Sequence, residues 1–534
     1  MEKYDSNIVR PIDLAETIAK RWHWQLNVSL NAKLSQCYVE CDRSHLLDLC
    51  RWLIDDMEYD FASLIVEEAS DAWLLRYIFY SESSSEQVHL CLSLNKMEKT
   101  IPSISRIIHA ADWREREARD LFGLEFEGHP RLVNIVLHEE WPEGVHPLRK
   151  DFDGTRPYPH REVEPSWRPP RVVQGPGVFM MPIGPVFSDA AESALFLLET
   201  VGEDVIRTTP RFFYKFRGVE KIAEGQSVDR VLLLAERFSG TSAFGHSLAF
   251  CQAVETICRI DVPARAKTLR VIFAELERFR HHLATIAGIC NSTALAVATS
   301  QASILEEEAL RLCCTLTGHR YLFGLNIPGG VALDLGKEQG DILRHALPVL
   351  FKNLERLYNL LRYSSSFLDR LEEVGMVAKE DARSYGLVGP IARASGIARD
   401  LRKVLPYATY AEVPFEVPTE EEGDGYTRLR VLFREAEQSV KIITALSSSL
   451  PEGEASAPGV AVKPGAALGW AEAPRGATFH WLRIAEDGNV ARYHLTTPSF
   501  TNWHGFHLAA EDFAFQDFPI IMATFGLSNA ECDR

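Results

Sequence analysis

Residues Glu236–His246 read E-R-F-S-G-T-S-A-F-G-H and stand between two apolar runs, Val231–Ala235 and Ser247–Ile260. Gly240 and Gly245 permit a tight turn between the runs. Beyond them Leu248, Phe250, Val254 and Ile257 recur at helical spacing. The stretch therefore reads as a polar turn feeding a helix, with Thr241 or Ser247 as the candidate cap. Taken bare, this pattern is common and says little about function.

Extended to E-R-F-S-G-T-S-A-F-G-H-S-L-A-F, the string resembles the first active-site motif of group 4 membrane-bound [NiFe]-hydrogenase large subunits, E-R-x-C-G-x-C-x-x-x-H-S-x-A. The quinone-binding large subunit of respiratory complex I shares that ancestry. The resemblance places the two cysteines that hold nickel and iron on Ser239 and Ser242. The C-terminal motif D-P-C-x-x-C-T-D/E-R corresponds to G-L-S-N-A-E-C-D-R, which puts Ser528 and Glu531 on the other two cysteines and Cys532 one position off. Nickel in these enzymes takes soft thiolates, whereas a serine hydroxyl is hard and neutral near pH 7. The family's precursors usually carry a tail cleaved after metal insertion, and the sequence ends at Arg534. Both features lead to the expectation that no [NiFe] centre is installed.

At 534 residues the chain is long enough for more than one domain, at about 100–200 residues each. Its net charge of −17 argues against nucleic acid as a main partner, since phosphate binding wants a basic face. No apolar run approaches the roughly 18–20 residues of a membrane span, and M-E-K-Y-D-S-N lacks a signal-peptide core. A protein facing the cytoplasm is expected. None of the ten cysteines forms Cys-x-x-Cys, so buried free thiols are expected and no iron–sulfur motif is present in the chain.

The expected fold class is α+β: an N-terminal α/β sandwich domain, then a mainly helical large-subunit domain that begins with a β meander. Residues 1–152 carry strand candidates at Trp24–Leu30, Cys37–Cys41, Ala62–Val66, Trp73–Tyr80 and Val88–Leu94, and a helix at Ser44–Asp55. The alternating Arg and Glu of 114–119 suit an exposed, ion-paired helix. Yet W-R-E-R-E-A-R-D-L-F-G-L-E-F-E-G-H-P-R-L (113–132), followed by H-P-L-R-K-D-F (146–152), closely resembles the signature of the smaller hydrophilic complex I subunit. That resemblance implies a role in assembly.

Residues 153–178, with prolines at 157, 159, 165, 169, 170 and 176, read as a semi-rigid linker. The second domain, 179–534, opens with the meander around Met181–Phe187, Ala194–Glu199 and Val205–Tyr214, turning at Gly202-Glu203-Asp204. Long helices are expected at Ala264–Ile286, Asp341–Tyr363 and Leu429–Leu446, packed as an antiparallel bundle. His281 and His282 point apart and read as solvent or interface residues. Residues 451–476, rich in Gly, Ala and Pro, read as irregular, and Phe479–Leu495 as a hairpin about Asp487-Gly488.

The resemblance also locates further site positions. Ser193 falls where complex I has a histidine at the quinone head group, and Ser292 where it has an aspartate partner. In S-Y-G-L-V-G-P-I-A-R-A-S-G-I-A-R-D-L-R (384–402), Arg393 either faces the central cavity or makes a structural salt bridge. Ser239, Ser242, His246, Arg393, Ser528, Glu531 and Cys532 would line that cavity, with His246 or Glu531 relaying protons.

The implied role is a peripheral subunit on the cytoplasmic side of a complex I-like membrane assembly, without a [NiFe] site. An iron–sulfur small subunit, a ferredoxin-like iron–sulfur subunit and antiporter-type membrane subunits are the implied partners. A quinone is the implied electron acceptor, with ion transport in the membrane partners. The alternative is a structural subunit with no redox turnover, and a third reading, an active hydrogenase, is opposed by the lost ligands. A redox role predicts an open pocket. A structural role predicts one plugged by side chains such as Phe187, Phe238 or Phe244.

Overall fold

A computed structural model describes residues 11–22, 26–31, 34–164, 171–187 and 192–534. Trp24 and Gln25 of the first strand candidate, linker residues 165–170 and the N-terminal heptapeptide lie outside them. The fold class is α+β. The chain divides into two compact units, Met1–Arg168 with Ser384–Gly386, and Pro169–Arg383 with Leu387–Arg534. Among the described residues no helix is long and apolar enough to cross a membrane.

The first unit holds β1 (Asn27–Asn31), β2 (Gln36–Cys41), β3 (Asp60–Glu68), β4 (Ala72–Ser81) and β5 (Glu86–Asn95) in one sheet ordered β1-β2-β5-β4-β3. The β2–β5 pair is parallel and the others antiparallel. Helix α1 (Pro11–Arg21) packs on β1. Helix α2 (Arg43–Arg51) is capped by Asp42, whose carboxylate accepts from the Ser44 and His45 amides. It then widens into a π turn over Trp52–Asp56, so the expected helix at 44–55 changes hydrogen-bond pattern in its last turn.

Helix α3 (Asp112–Phe122) packs on β3 and lies between the parallel partners β6 (Thr100–Pro102) and β7 (Glu125–Glu127). Its charges are not the exposed ion-pair lattice that the alternation suggests. Arg114, Glu115, Glu117 and Asp120 are all buried. The Glu115 carboxylate accepts from Ser103 Oγ at 2.5 Å and Ile104 N at 2.7 Å. Asp120 Oδ2 accepts from the amides of Ile135, Val136 and Leu137 at 2.8, 2.8 and 3.1 Å. The chain before α3 is thus tied to Glu115 and the loop after it to Asp120, which takes amides that have no sheet partner.

The second unit opens with the antiparallel meander β8 (Phe179–Ile183), β9 (Leu195–Val201) and β10 (Asp204–Arg211), joined at its edge by Phe513–Ala514. Helices α4 (Val219–Ala223), α5 (Val228–Arg237) and α6 (Ala243–Cys258) follow. Then come α7 (Ala264–Ser292), α8 (Ala296–Thr317) and, past the small antiparallel pair β11 (Asn326–Ile327) and β12 (Gly330–Val331), α9 (Lys337–Arg362). Short helices α10 (Ser365–Leu368), α11 (Lys379–Ser384), α12 (Gly389–Ala394) and α13 (Leu401–Val404) lead to α14 (Gly425–Ser448), capped by Asp424. Helix α7 packs between α8 and α14, and α9 closes against both of those. The expected bundle thus includes one helix more, α8. Its Ala298, Ala302, Leu305, Ala309, Leu312 and Leu316 carry the same 3/4 spacing.

His281 and His282 are not surface residues. They sit on the buried middle of α7 at 4% and 0% exposure, and His282 Nε2 lies 2.8 Å from Glu435 Oε2. Residues 451–476 are also not wholly irregular. β13 (Gly465–Ala473), β14 (Gly476–Ile484) and β15 (Val490–Thr496) form an antiparallel sheet, and α6 lies on β13 and β14. The small residues of β13 exist for that approach. A Cβ on Gly469 would lie 2.0 Å from the Ala249 carbonyl of α6. Helices α15 (Pro498–His504), α16 (Phe506–Ala509) and α17 (Phe518–Phe525) precede the C-terminal segment.

Candidate functional site

Helix α6 begins at Ala243, between the starts that the two expected caps imply, and neither expected residue caps it. Gly245 is in its first turn, where the helix passes Ala473: a Cβ there would meet the Ala473 Cβ at 3.2 Å. The cap comes from α7. The Glu277 carboxylate accepts from the amides of Phe244 at 2.8 Å and Gly245 at 2.9 Å. Thr241 and Ser247 make other bonds, Thr241 Oγ1 to Arg475 and Ser247 Oγ to the Phe244 carbonyl.

With α6 so placed, three chain segments converge. Ser239 and Ser242 come from the short 3-10 turn before α6, Arg475 from the β13–β14 turn, and Glu531 from the C-terminal segment. Arg475 Nη1 donates to Thr241 Oγ1 at 2.9 Å, Ser242 Oγ at 3.0 Å and Glu531 Oε1 at 3.2 Å, while its Nε donates to the Gly526 carbonyl at 2.8 Å. Glu531 Oε1 also accepts from Ser239 Oγ at 3.1 Å. Its Oε2 accepts from Ser499 N at 3.1 Å and Ser499 Oγ at 2.5 Å. His246 Nε2 lies 3.7 Å from Glu531 Oε1.

Ser242, His246 and Glu531 are fully buried, and the Arg475 side chain is 10% exposed. Burial alone would raise the Glu531 carboxyl. The Arg475 guanidinium, with His246 and Ser499, overrides it and holds the group well below the usual carboxylate range.

The other predicted residues divide. Ser528 joins the cluster at its margin: its amide donates to Ser499 Oγ at 3.1 Å, and its hydroxyl donates to the Glu192 carboxylate at 3.0 Å. Ser193 follows Glu192 directly and is half-buried. Cys532 is fully buried, and burial pushes its thiol well above the ordinary value, so it is no thiolate ligand. Ser292 donates to the Ile289 carbonyl at 2.9 Å, within its own helix. Arg393 is enclosed by acids. Its Nε donates to Glu435 at 2.6 Å and its Nη1 to Glu472 at 3.0 Å and Asp400 at 3.3 Å. Glu275, Arg278 and Arg402 extend this buried network. Arg393 is thus held in the salt-bridge arrangement.

Of the aromatic rings named as plugs, Phe238 lies 4.5 Å from the His246 ring and Phe244 packs on Phe273 at 5.8 Å. Phe187 is partly exposed. Arg475 escaped the sequence reading. The signal was the charged residue in E-A-P-R-G (472–476), inside the stretch read as irregular.

The donor set does not fit a nickel–iron centre. The four ligand positions of the resembling motif hold three hydroxyls and one carboxylate, and a guanidinium stands within hydrogen-bond reach of two of them. A fixed cation there repels a metal ion, and soft donors are missing.

Two family descriptions match. Residues 39–158 match "Respiratory-chain NADH dehydrogenase, 30 Kd subunit", and residues 296–464 and 454–534 match "Respiratory-chain NADH dehydrogenase, 49 Kd subunit". The chain is 32% identical over 451 residues to formate hydrogenlyase subunit 5 of Escherichia coli (strain K12), covering 84% of this chain and 79% of that one. Hydrogenase-4 component G of the same strain is 29% identical over 86% of this chain and 81% of its own. The C/D subunit of NADH-quinone oxidoreductase from Acinetobacter baumannii (strain AYE) is 28% identical over 87% and 85%.

Proposed function

The chain belongs to the family that fuses the 30 Kd-type and 49 Kd-type subunits of respiratory-chain NADH dehydrogenase, the fused large subunit of group 4 [NiFe]-hydrogenase and complex I type, and we propose that it serves its membrane-bound assembly without a [NiFe] centre. In this reading it is a peripheral subunit on the cytoplasmic side. It passes electrons from an iron–sulfur cluster on a partner to a quinone, and membrane partners couple that step to ion transport. Ferredoxin-like and small iron–sulfur subunits would complete the electron path.

The observation that carries the metal-free reading is the Arg475–Glu531 pair closing on Ser239 and Ser242. The same residues support an organic acceptor. Arg475 supplies fixed donors to an oxygen that gains negative charge on reduction, and His246 beside Glu531 supplies a proton carrier.

A second reading, a structural subunit with no redox turnover, is favoured by the complete burial of Ser242, His246 and Glu531. The experiment that separates them is analysis of the purified membrane complex for nickel, iron, acid-labile sulfide and extracted quinone. Iron, sulfide and quinone without nickel is the expected result. Nickel at about one per chain overturns the metal-free reading, and absence of all four leaves the structural one.

A further inference from the structure

Helix α7 holds the turn before α6 at both ends. Arg280 Nη2 donates to the Thr241 carbonyl at 2.6 Å. Three residues earlier in the same helix, the Glu277 carboxylate accepts from Phe244 N at 2.8 Å and Gly245 N at 2.9 Å. Ser242 lies between these anchors and Ser239 just before them. The two grips differ in kind. A guanidinium keeps its charge across the whole range in which a protein stays folded, whereas a carboxyl does not.

Glu277 is buried and, among the described residues, is held by the two amides without an ion pair. The arginines that act on it from α7 spend their hydrogen bonds elsewhere. Arg278 donates to the Ala473 and Glu472 carbonyls and pairs with Glu275, and Arg280 holds Thr241 with its face on the Tyr321 ring. Helix α8 brings Glu306, which faces Arg280, and the Cys313 thiol, pushed up to about 12 by burial. On α6 the next ionisable group is His246, 3.7 Å from Glu531, and the β13–β14 turn brings Arg475, bound to Thr241, Ser242 and Glu531. A buried carboxylate without a counter-ion is one that can exchange its charge for a proton.

We propose that Glu277 is a proton-sensitive lock on the turn that carries Ser239 and Ser242. Ionised, it has acceptor lone pairs for both amides, and its charge stands at the positive end of α6. Protonated, one of its oxygens becomes a hydroxyl, the charge is gone, and one of the two amides loses most of its bond. The turn is then held firmly at its Thr241 end by Arg280 and loosely at the other. The lock acts on the protein's own backbone, so it stands or falls apart from the quinone reading.

Burial brings the exchange near neutral pH. It pushes the Glu277 carboxyl up to about 7, against Arg280 and the two amides, which lower it. The folded state therefore binds this proton more tightly than the unfolded one. The stabilisation this gives is full below about pH 4.5 and fades as pH rises toward 7, while the grip on the two amides tightens as the charge forms. Net stability and local order at the turn thus move in opposite directions.

The test uses the full chain labelled with 15N-phenylalanine and 15N-glycine. As pH rises through neutrality, the amide proton signals of Phe244 and Gly245 are expected to move downfield together with a midpoint near 7, and to stay fixed in Glu277→Gln. His246→Gln is expected to leave that movement in place. Amide exchange at the two positions, corrected for its intrinsic pH dependence, is expected to be about 10-fold slower above the midpoint than below it, the weight of one charge-assisted hydrogen bond. Signals that do not move in wild type, or equal protection on both sides of the midpoint, overturn the lock. So does the same movement in Glu277→Gln, or its loss in a folded His246→Gln. Both wild-type readouts decide the matter even where a variant does not fold.

Discussion

Arg475 and Glu531 meet at 3.2 Å with the carboxylate fully buried, and the pair stands where the family's motif would bring metal ligands together. One residue lies in a β turn and the other near the end of the sequence, so the pair ties the C-terminal segment to the core. Breaking a buried pair strands the remaining charge, at about 3–5 kcal/mol. Arg475→Met is therefore expected to lower unfolding free energy by about that much in urea titration, and Arg475→Met with Glu531→Gln by less than the sum of the single changes.

The same pair sets an acid limit. The Glu531 carboxyl is held below its unfolded value, so its stabilisation is full above about pH 4.5 and is lost as pH falls toward the folded value. Wild type is expected to lose stability faster than Glu531→Gln below pH 4.5, measured by thermal unfolding across pH 3–7.

Glu115 in the first unit behaves oppositely. Burial raises its carboxyl to about 8, against the Ser103 and Ile104 hydrogen bonds that lower it. The folded state therefore holds this proton more tightly than the unfolded one, and its stabilisation fades as pH rises from about 4.5 toward 8. Glu115→Gln is expected to flatten that decline in the same unfolding series.

The start of α6 depends on Glu277. Glu277→Ala leaves the Phe244 and Gly245 amides buried without an acceptor, at about 1–3 kcal/mol each. A loss of about 2 kcal/mol or more is expected in denaturant unfolding. Glu277→Gln, which keeps one acceptor, is expected to lose less.

Gly469 is the point where β13 crosses α6. A Cβ 2.0 Å from the Ala249 carbonyl and 2.8 Å from the Ala253 amide cannot be accommodated by side-chain movement. Gly469→Ala is expected to cost about 3 kcal/mol or more and to reduce soluble yield.

Local pattern was enough for most elements. Alternation located β2 to β5, and 3/4 spacing located α7, α9 and α14, because each buries one face or both against a core and shows that in its own residues. The same reasoning missed β13, whose Gly and Ala look like a loop. Their smallness answers to α6, about 220 residues earlier in the chain. It also read His281 and His282 as solvent or interface residues, because nothing near them in sequence announces that this part of α7 is buried and that Glu435 receives His282.

The substitutions at Ser239, Ser242, Ser528 and Glu531 are legible residue by residue, and they suffice to remove thiolate chemistry. What replaces it is not legible there. Arg475 reaches Ser242 and Glu531 only because α6, the β13–β14 turn and the C-terminal segment fold together. The reach of His246 to His480 on β14 has the same origin. Hydrogen bonds between residues more than 200 positions apart depend on how helices and sheet pack, and packing is a property of the whole fold.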